Sequence, residues 1–254
     1  MIDYQKLQYS KEHYLAYRQS FSTTNDKPGL IFLGGFKSDM NGTKAQAITK
    51  YAQEYDYSIV RFDYFGHGQS SGKFTDGTIG LWLENTLTII DQLTDQPQIL
   101  IGSSMGGWLM LLAALARPNK IAALIGLAAA PDFTEDLIWN EMTEAQKSEL
   151  LKTKEIDFSN EFCEDAYPIS YQLIEEARKH LLLNSKIEID MPIRLIHGMQ
   201  DQDVPYQTSL KIAEQVSSND VQTLLIKDAT HRLSEKHELE IIYKTIDEVI
   251  MNKE

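Results

Sequence analysis

The chain has 254 residues, a net charge of -13, 43% hydrophobic residues and one cysteine, Cys163. That length fits one α/β domain or two small ones, and it buries about three quarters of the unfolded surface without a disulfide or metal staple. The acidic balance argues against a nucleic-acid binder, whose affinity comes from Lys and Arg on phosphates, and the lone cysteine excludes a disulfide framework or a Cys-rich zinc module.

The N-terminal MIDYQKLQYSKEHY has no apolar stretch that would serve as a signal peptide. Leu15 to Ser20 reads as a half-polar strand, and Gly29 to Phe36 as a strand after the turn residues Asn25 to Pro28. Thr43 to Tyr55 reads as a helix capped by Asn41 or Thr43, followed by a strand from Tyr57 to Asp63. Leu83, Leu87, Ile90 and Leu93 mark a helix over Ile79 to Leu93. Gln98 to Gly102 is a strand, Gly106 to Ala116 an apolar helix, and Ala122 to Ala128 a strand. The longest uncharged apolar run, Met105 to Ala116, falls short of the ~20 residues a membrane span needs.

The alternation then stops. Residues 131–190 read as helical and hold fifteen acidic against six basic residues. They also carry Phe133, Trp139, Met142, Phe158, Phe162, Tyr167 and Tyr171, which face either the core or a pocket. The alternation resumes with a strand at Pro192 to His197, a helix near Gln207 to Val216, a strand at Val221 to Ile226 and a helix at Glu238 to Met251. About seven strands, apolar on both faces and separated by helices, predict an α/β fold with a parallel sheet covered on both sides. The excursion at 131–190 is expected to stand on that sheet as a cap, within a single domain over 1–254.

Gly102-Ser103-Ser104-Met105-Gly106 matches G-x-S-x-G, with a strand before it and a helix after it. That context lifts the Ser104 hydroxyl above the sheet on a strained turn, with small neighbours relieving the crowding. A serine nucleophile needs a base and an orienting acid. Of the six histidines, His13, His67, His180, His197 and His237 lie in polar, loop, insertion or strand-end positions. His237 falls inside or just before the last helix, whereas His231 lies in the loop after the last strand, at the carboxyl edge where ligands bind, and is the expected base. The acid should leave an earlier strand, and Asp201 is expected, with Asp203 capping the helix near Pro205. Backbone N–H groups of Met105 and Phe36 are the expected oxyanion donors. The loop from Asp63 to Gly72 has the wrong glycine spacing for a dinucleotide and reads as a tight turn. Cys163 reads as an inert or surface thiol, and no metal motif such as H-E-x-x-H occurs.

Together GGF, D-x-x-G-H-G-x-S, GSSMGG, HGMQDQDVP and the late His231 resemble the α/β-hydrolase superfamily. MNGTKA, RFDY, PQILIGSSMGGWLML, PIRLIHGM and DATHR are similar to its domain-containing protein 10 subfamily. That subfamily is described as acyl-protein thioesterases, or depalmitoylases, and as acyl-glucuronide esterases. The resemblance implies a mostly parallel sheet of about eight strands with a helical lid after the sixth. It assigns Ser104, Asp201 and His231 as a catalytic triad, Phe36 and Met105 as oxyanion donors, and no cofactor. The substrate would be a small molecule or an S-acylated protein, and Trp139, Met142 and Tyr167 in the insertion are expected to meet it. The first residues are not Arg-rich, which favours a bacterial, cytoplasmic protein or a processed mitochondrial matrix form. The expected chemistry is serine hydrolysis of acyl esters or thioesters. The alternatives are a prolyl-oligopeptidase-type peptidase, for which no propeller is present, and a non-catalytic receptor on the same scaffold.

Overall fold

The computed structural model describes residues 4–24, 27–158 and 167–251. Its main sheet has eight strands in the order β1-β2-β4-β3-β5-β6-β9-β10. These are β1 (Gln5–Gln8), β2 (Tyr14–Ser20), β3 (Gly29–Leu33), β4 (Ile59–Phe62), β5 (Gln98–Ser103), β6 (Ile121–Leu127), β9 (Ile193–Gly198) and β10 (Val221–Ile226). Only β2 runs against the rest, so β1–β2 and β2–β4 pair antiparallel and every other pair is parallel. The central strands β3, β4, β5, β6 and β9 are buried at every position, as their continuous apolar runs require. The strand absent from the sequence reading is β1, whose QKLQ is mostly exposed and has no apolar face.

Helices cover both faces. On one side α1 (Thr43–Glu54) and α7 (Lys236–Met251) pack Ile48, Ala52, Ile242 and Ile246 onto Leu30, Ile99 and Ile125. On the other, α2 (Ile79–Leu93), α3 (Met105–Ala116) and α6 (Gln207–Gln215) pack Trp82, Ile89, Trp108 and Ile212 onto Ile31, Leu100 and Leu124. One local expectation fails, the side-chain cap of α1. The α1 cap is Gly42, which has no side chain to accept a cap bond, and the Asn41 backbone carbonyl accepts from the Gln46 side chain. The buried face of α2 is Ile79, Trp82, Asn85, Thr86, Ile89 and Ile90, while Leu83, Leu87 and Leu93 are only half-buried. Asn85 earns its buried place by accepting the Phe65 N–H at 2.8 Å, and Trp82 Nε1 donates to Phe65 O at 3.0 Å.

The segment between β6 and β9 is not helical throughout. It opens with a π-helical turn at Thr134–Trp139 and continues into α4 (Glu144–Thr153), started by a Thr143/Gln146 capping box. A two-stranded antiparallel hairpin follows, β7 (Glu155–Phe158) with β8 (Tyr167–Ser170), and then α5 (Tyr171–Ala177). The alternation that makes β7 a strand is present in EIDF, where Ile156 and Phe158 point inward. Phe162 and Cys163 lie outside the described residues.

Candidate active site

Parallel neighbours end at one edge, so the loops after β3, β5, β9 and β10 meet there. Ser104 sits between β5 and α3 with φ 54° and ψ -120°, a conformation an L-residue adopts only under strain. Its N–H donates to Leu127 O at 3.0 Å, while its carbonyl accepts from Gly107 at 2.8 Å and Ala130 at 3.0 Å. A Cβ on Gly106 would lie 2.7 Å from Gly34 O and overlap Leu33 O, so only glycine lets α3 start this close to β3. Gly35 lies where a Cβ would be 3.3 Å from Ser104 Cβ, which puts the GGF loop beside the hydroxyl.

The structure brings Asp201 and His231 together: His231 Nδ1 is 2.7 Å from Asp201 Oδ2, with the carboxylate side chain fully buried. The other Asp201 oxygen accepts the backbone N–H of Asp203 at 2.9 Å and Val204 at 2.8 Å. Burial pushes this carboxyl up, but hydrogen bonds from His197 and His231 outweigh it and hold it well below the ordinary carboxylate range. With Nδ1 turned to Asp201, the Nε2 of His231 is the nitrogen left for the cavity that it shares with Ser104. Asp203 is not a helix cap. α6 begins after Tyr206 with no side-chain cap bond, and Asp203 instead lends its N–H to Asp201 and lines the cavity.

Two cavities meet at Ser104 and His231. The larger, about 650 Å³, is walled by Phe36, Phe133, Leu137, Ile138, Tyr167, Val204 and Tyr206, with Glu141 at its border. The smaller, about 270 Å³, runs past Ser38, Asp39, Thr43 and Lys44. Burial pulls the Lys44 ammonium down to about 8, and it donates to the Arg232 carbonyl next to His231. Of the three insertion residues expected to meet substrate, only Tyr167 lines the large cavity, its ring 5.7 Å from Phe36. Met142 is buried in the same hydrophobic core as Trp108 and Leu124. Trp139 is stacked under the Arg178 guanidinium at 4.8 Å and near Lys147 at 5.5 Å, on a side that does not reach the cavity. Phe133, Leu137 and Ile138 take that place, Phe133 just before the π turn and the other two within it. The loop from Asp63 to Gly72 is a tight turn: Asp63 accepts from Met40 at 2.6 Å and Gln69 at 2.8 Å.

The α/β-hydrolase fold family model matches residues 30–163. The chain is 44% identical over 224 residues to the human mitochondrial palmitoyl-protein thioesterase ABHD10, covering 88% of this chain and 73% of that protein. The chain belongs to the α/β-hydrolase fold family. Among solved structures, this α/β-hydrolase is similar to mouse α/β-hydrolase domain-containing protein 10, with a TM-score of 0.91, 38% identity, and coverage of 99% of this chain and 100% of that one. It is also similar to a hydrolase from Agrobacterium vitis S4, with a TM-score of 0.92, 33% identity, and coverage of 98% of both chains. As an α/β-hydrolase with these relatives it is a hydrolase of esters or thioesters. Among the described residues, no helix is long and apolar enough to cross a membrane.

Proposed function

We propose that the protein is a serine acyl-thioesterase in which Ser104, His231 and Asp201 act as the triad. The observation that carries this reading is the meeting of Ser104 and the Asp201-bound His231 in one cavity with mostly apolar walls. Ser104 Oγ attacks the acyl carbonyl while His231 Nε2 takes its proton. The developing oxyanion is held by the backbone N–H groups of Met105, at the start of α3, and Phe36, each worth about 3 kcal/mol in the transition state. The C–S bond breaks, and His231 returns the proton to the departing thiolate. Water, deprotonated by His231, then attacks the acyl-enzyme and frees the acid and Ser104. Residues 131–190 serve as a cap on a single domain over 1–254, with Phe133, Leu137, Ile138 and Tyr167 taking the acyl chain. The substrate is a palmitoylated protein or a smaller thioester, as the name of the human relative suggests, and the compartment is the bacterial cytoplasm or a mitochondrial matrix.

Lys44 supports a second reading, an acyl-glucuronide esterase, because its ammonium borders the smaller cavity beside the nucleophile and suits a polar, anionic leaving group. Quenching a reaction with palmitoyl thioester and weighing the intact protein tests the first reading. It predicts a palmitoyl adduct on Ser104 that Ser104→Ala does not form, with turnover in that variant lost. A substantial residual rate in Ser104→Ala contradicts it.

A further inference from the structure

We infer that His197 is a positioning residue for the Asp201–His231 pair: a second imidazole that donates to the same carboxylate oxygen, fixes it in place and moderates its pull on the His231 ring. This rests on the triad reading above.

The His197 side chain is fully buried at the end of β9, and its ring is held at both nitrogens. Nδ1 lies 2.7 Å from Ser209 Oγ on α6. Nε2 lies 3.1 Å from Asp201 Oδ2 and 3.0 Å from Val204 O. A carbonyl and a carboxylate only accept, so Nε2 carries the hydrogen and donates to both. Asp201 Oδ2 therefore receives an imidazole N–H from each side, one from His197 and one from His231. With the two backbone donors on Oδ1, the carboxylate has four partners and cannot turn without losing one. A buried histidine with only a structural role is satisfied by Ser209 and Val204; the bond to Asp201 goes beyond that need. Every donor on Oδ2 takes up part of its charge, so His197 weakens the hold of Asp201 on a protonated His231. The other charged groups around this pair are Asp203 on the same loop and Lys44 of α1, itself facing Glu238 and Arg232. None of these changes in the variants below.

The test compares His197→Leu, His197→Gln and Ser209→Ala in kcat, KM and pH profile on a short chromogenic thioester. His197→Leu is expected to lower kcat by about tenfold to a hundredfold with KM within about twofold, as misplaced catalytic groups do. Its acid limb should move to higher pH, because Oδ2 without the second donor holds the imidazolium more tightly. Glutamine, whose amide N–H can reach the same oxygen, should return the limb toward the parent. Ser209→Ala should move it the same way by less. An acid limb that stays in place in all variants overturns the inference, as does a shift in His197→Leu that glutamine leaves uncorrected. If the leucine variant does not fold, the Ser209→Ala profile decides alone. Turnover by Ser104→Ala sinks the triad reading and this inference with it; an inert Ser104→Ala together with an unmoved limb in the His197 and Ser209 variants sinks this inference only.

Discussion

Ser104 holds a left-handed backbone conformation that its neighbours impose. Such a position costs about 1–3 kcal/mol for a non-glycine residue. Ser104→Gly should therefore gain about 1 kcal/mol in urea denaturation while losing all turnover, whereas Ser104→Ala should leave stability near the parent. Equal midpoints for glycine and alanine would mean the turn stores no strain. Gly106→Ala should do the reverse, because its Cβ has only the Gly34 and Leu33 carbonyls to meet. A loss of at least about 2 kcal/mol is expected, and a thermal melt reads it. The Ser104 turn was legible in the sequence because this geometry leaves small residues at fixed offsets. His197 was not: its four-residue spacing from Asp201 is visible, but nothing in a sequence says that a strand-end imidazole turns toward the acid.

The insertion shows where pattern reading fails at the scale of elements. Its apolar residues were plain, but their direction depends on the π turn at Thr134–Trp139 and on β7 pairing with β8. Leu137 and Ile138 within that turn line the large cavity, whereas Trp139 at its end and Met142 beyond it do not. The sheet was legible nearly strand for strand because its central strands are apolar on both faces, and it missed β1 because an exposed edge carries no such signal. Phe36 ties the two layers together, its ring 5.4 Å from Phe133 and 5.7 Å from Tyr167. If these rings line the acyl channel, each methylene added to the substrate should raise kcat/KM roughly fourfold until the cavity is full, from about 0.8 kcal/mol per buried methylene. Phe133→Ala should flatten that rise, and an unchanged slope would place the chain elsewhere.

Over the whole molecule, two buried groups oppose each other in acid. Burial holds His67 down to about 4, against 6.5 for a free imidazole, among Tyr64, Phe74 and Trp82. The unfolded chain takes up that proton first, so the His67 contribution is complete above pH 6.5 and is lost as pH falls through 4. Burial pushes Asp63 up to about 6 from 3.8, so there the folded chain takes up the proton first and stability rises between pH 6 and 3.8. Each effect reaches about 3 kcal/mol. The parent should therefore be nearly level in stability from pH 6.5 to 4, while His67→Phe should grow more stable relative to it as pH falls. Parallel curves for the two proteins would remove His67 from the account.

The measurement that bears most directly on the central claim is kcat/KM for matched S-acyl and O-acyl substrates from two to sixteen carbons, with Ser104→Ala as the blank. A thioesterase working through Ser104 predicts a rise toward long S-acyl chains and no rate in the blank. A preference for short oxoesters or acyl glucuronides, or a rate that survives in Ser104→Ala, would contradict it.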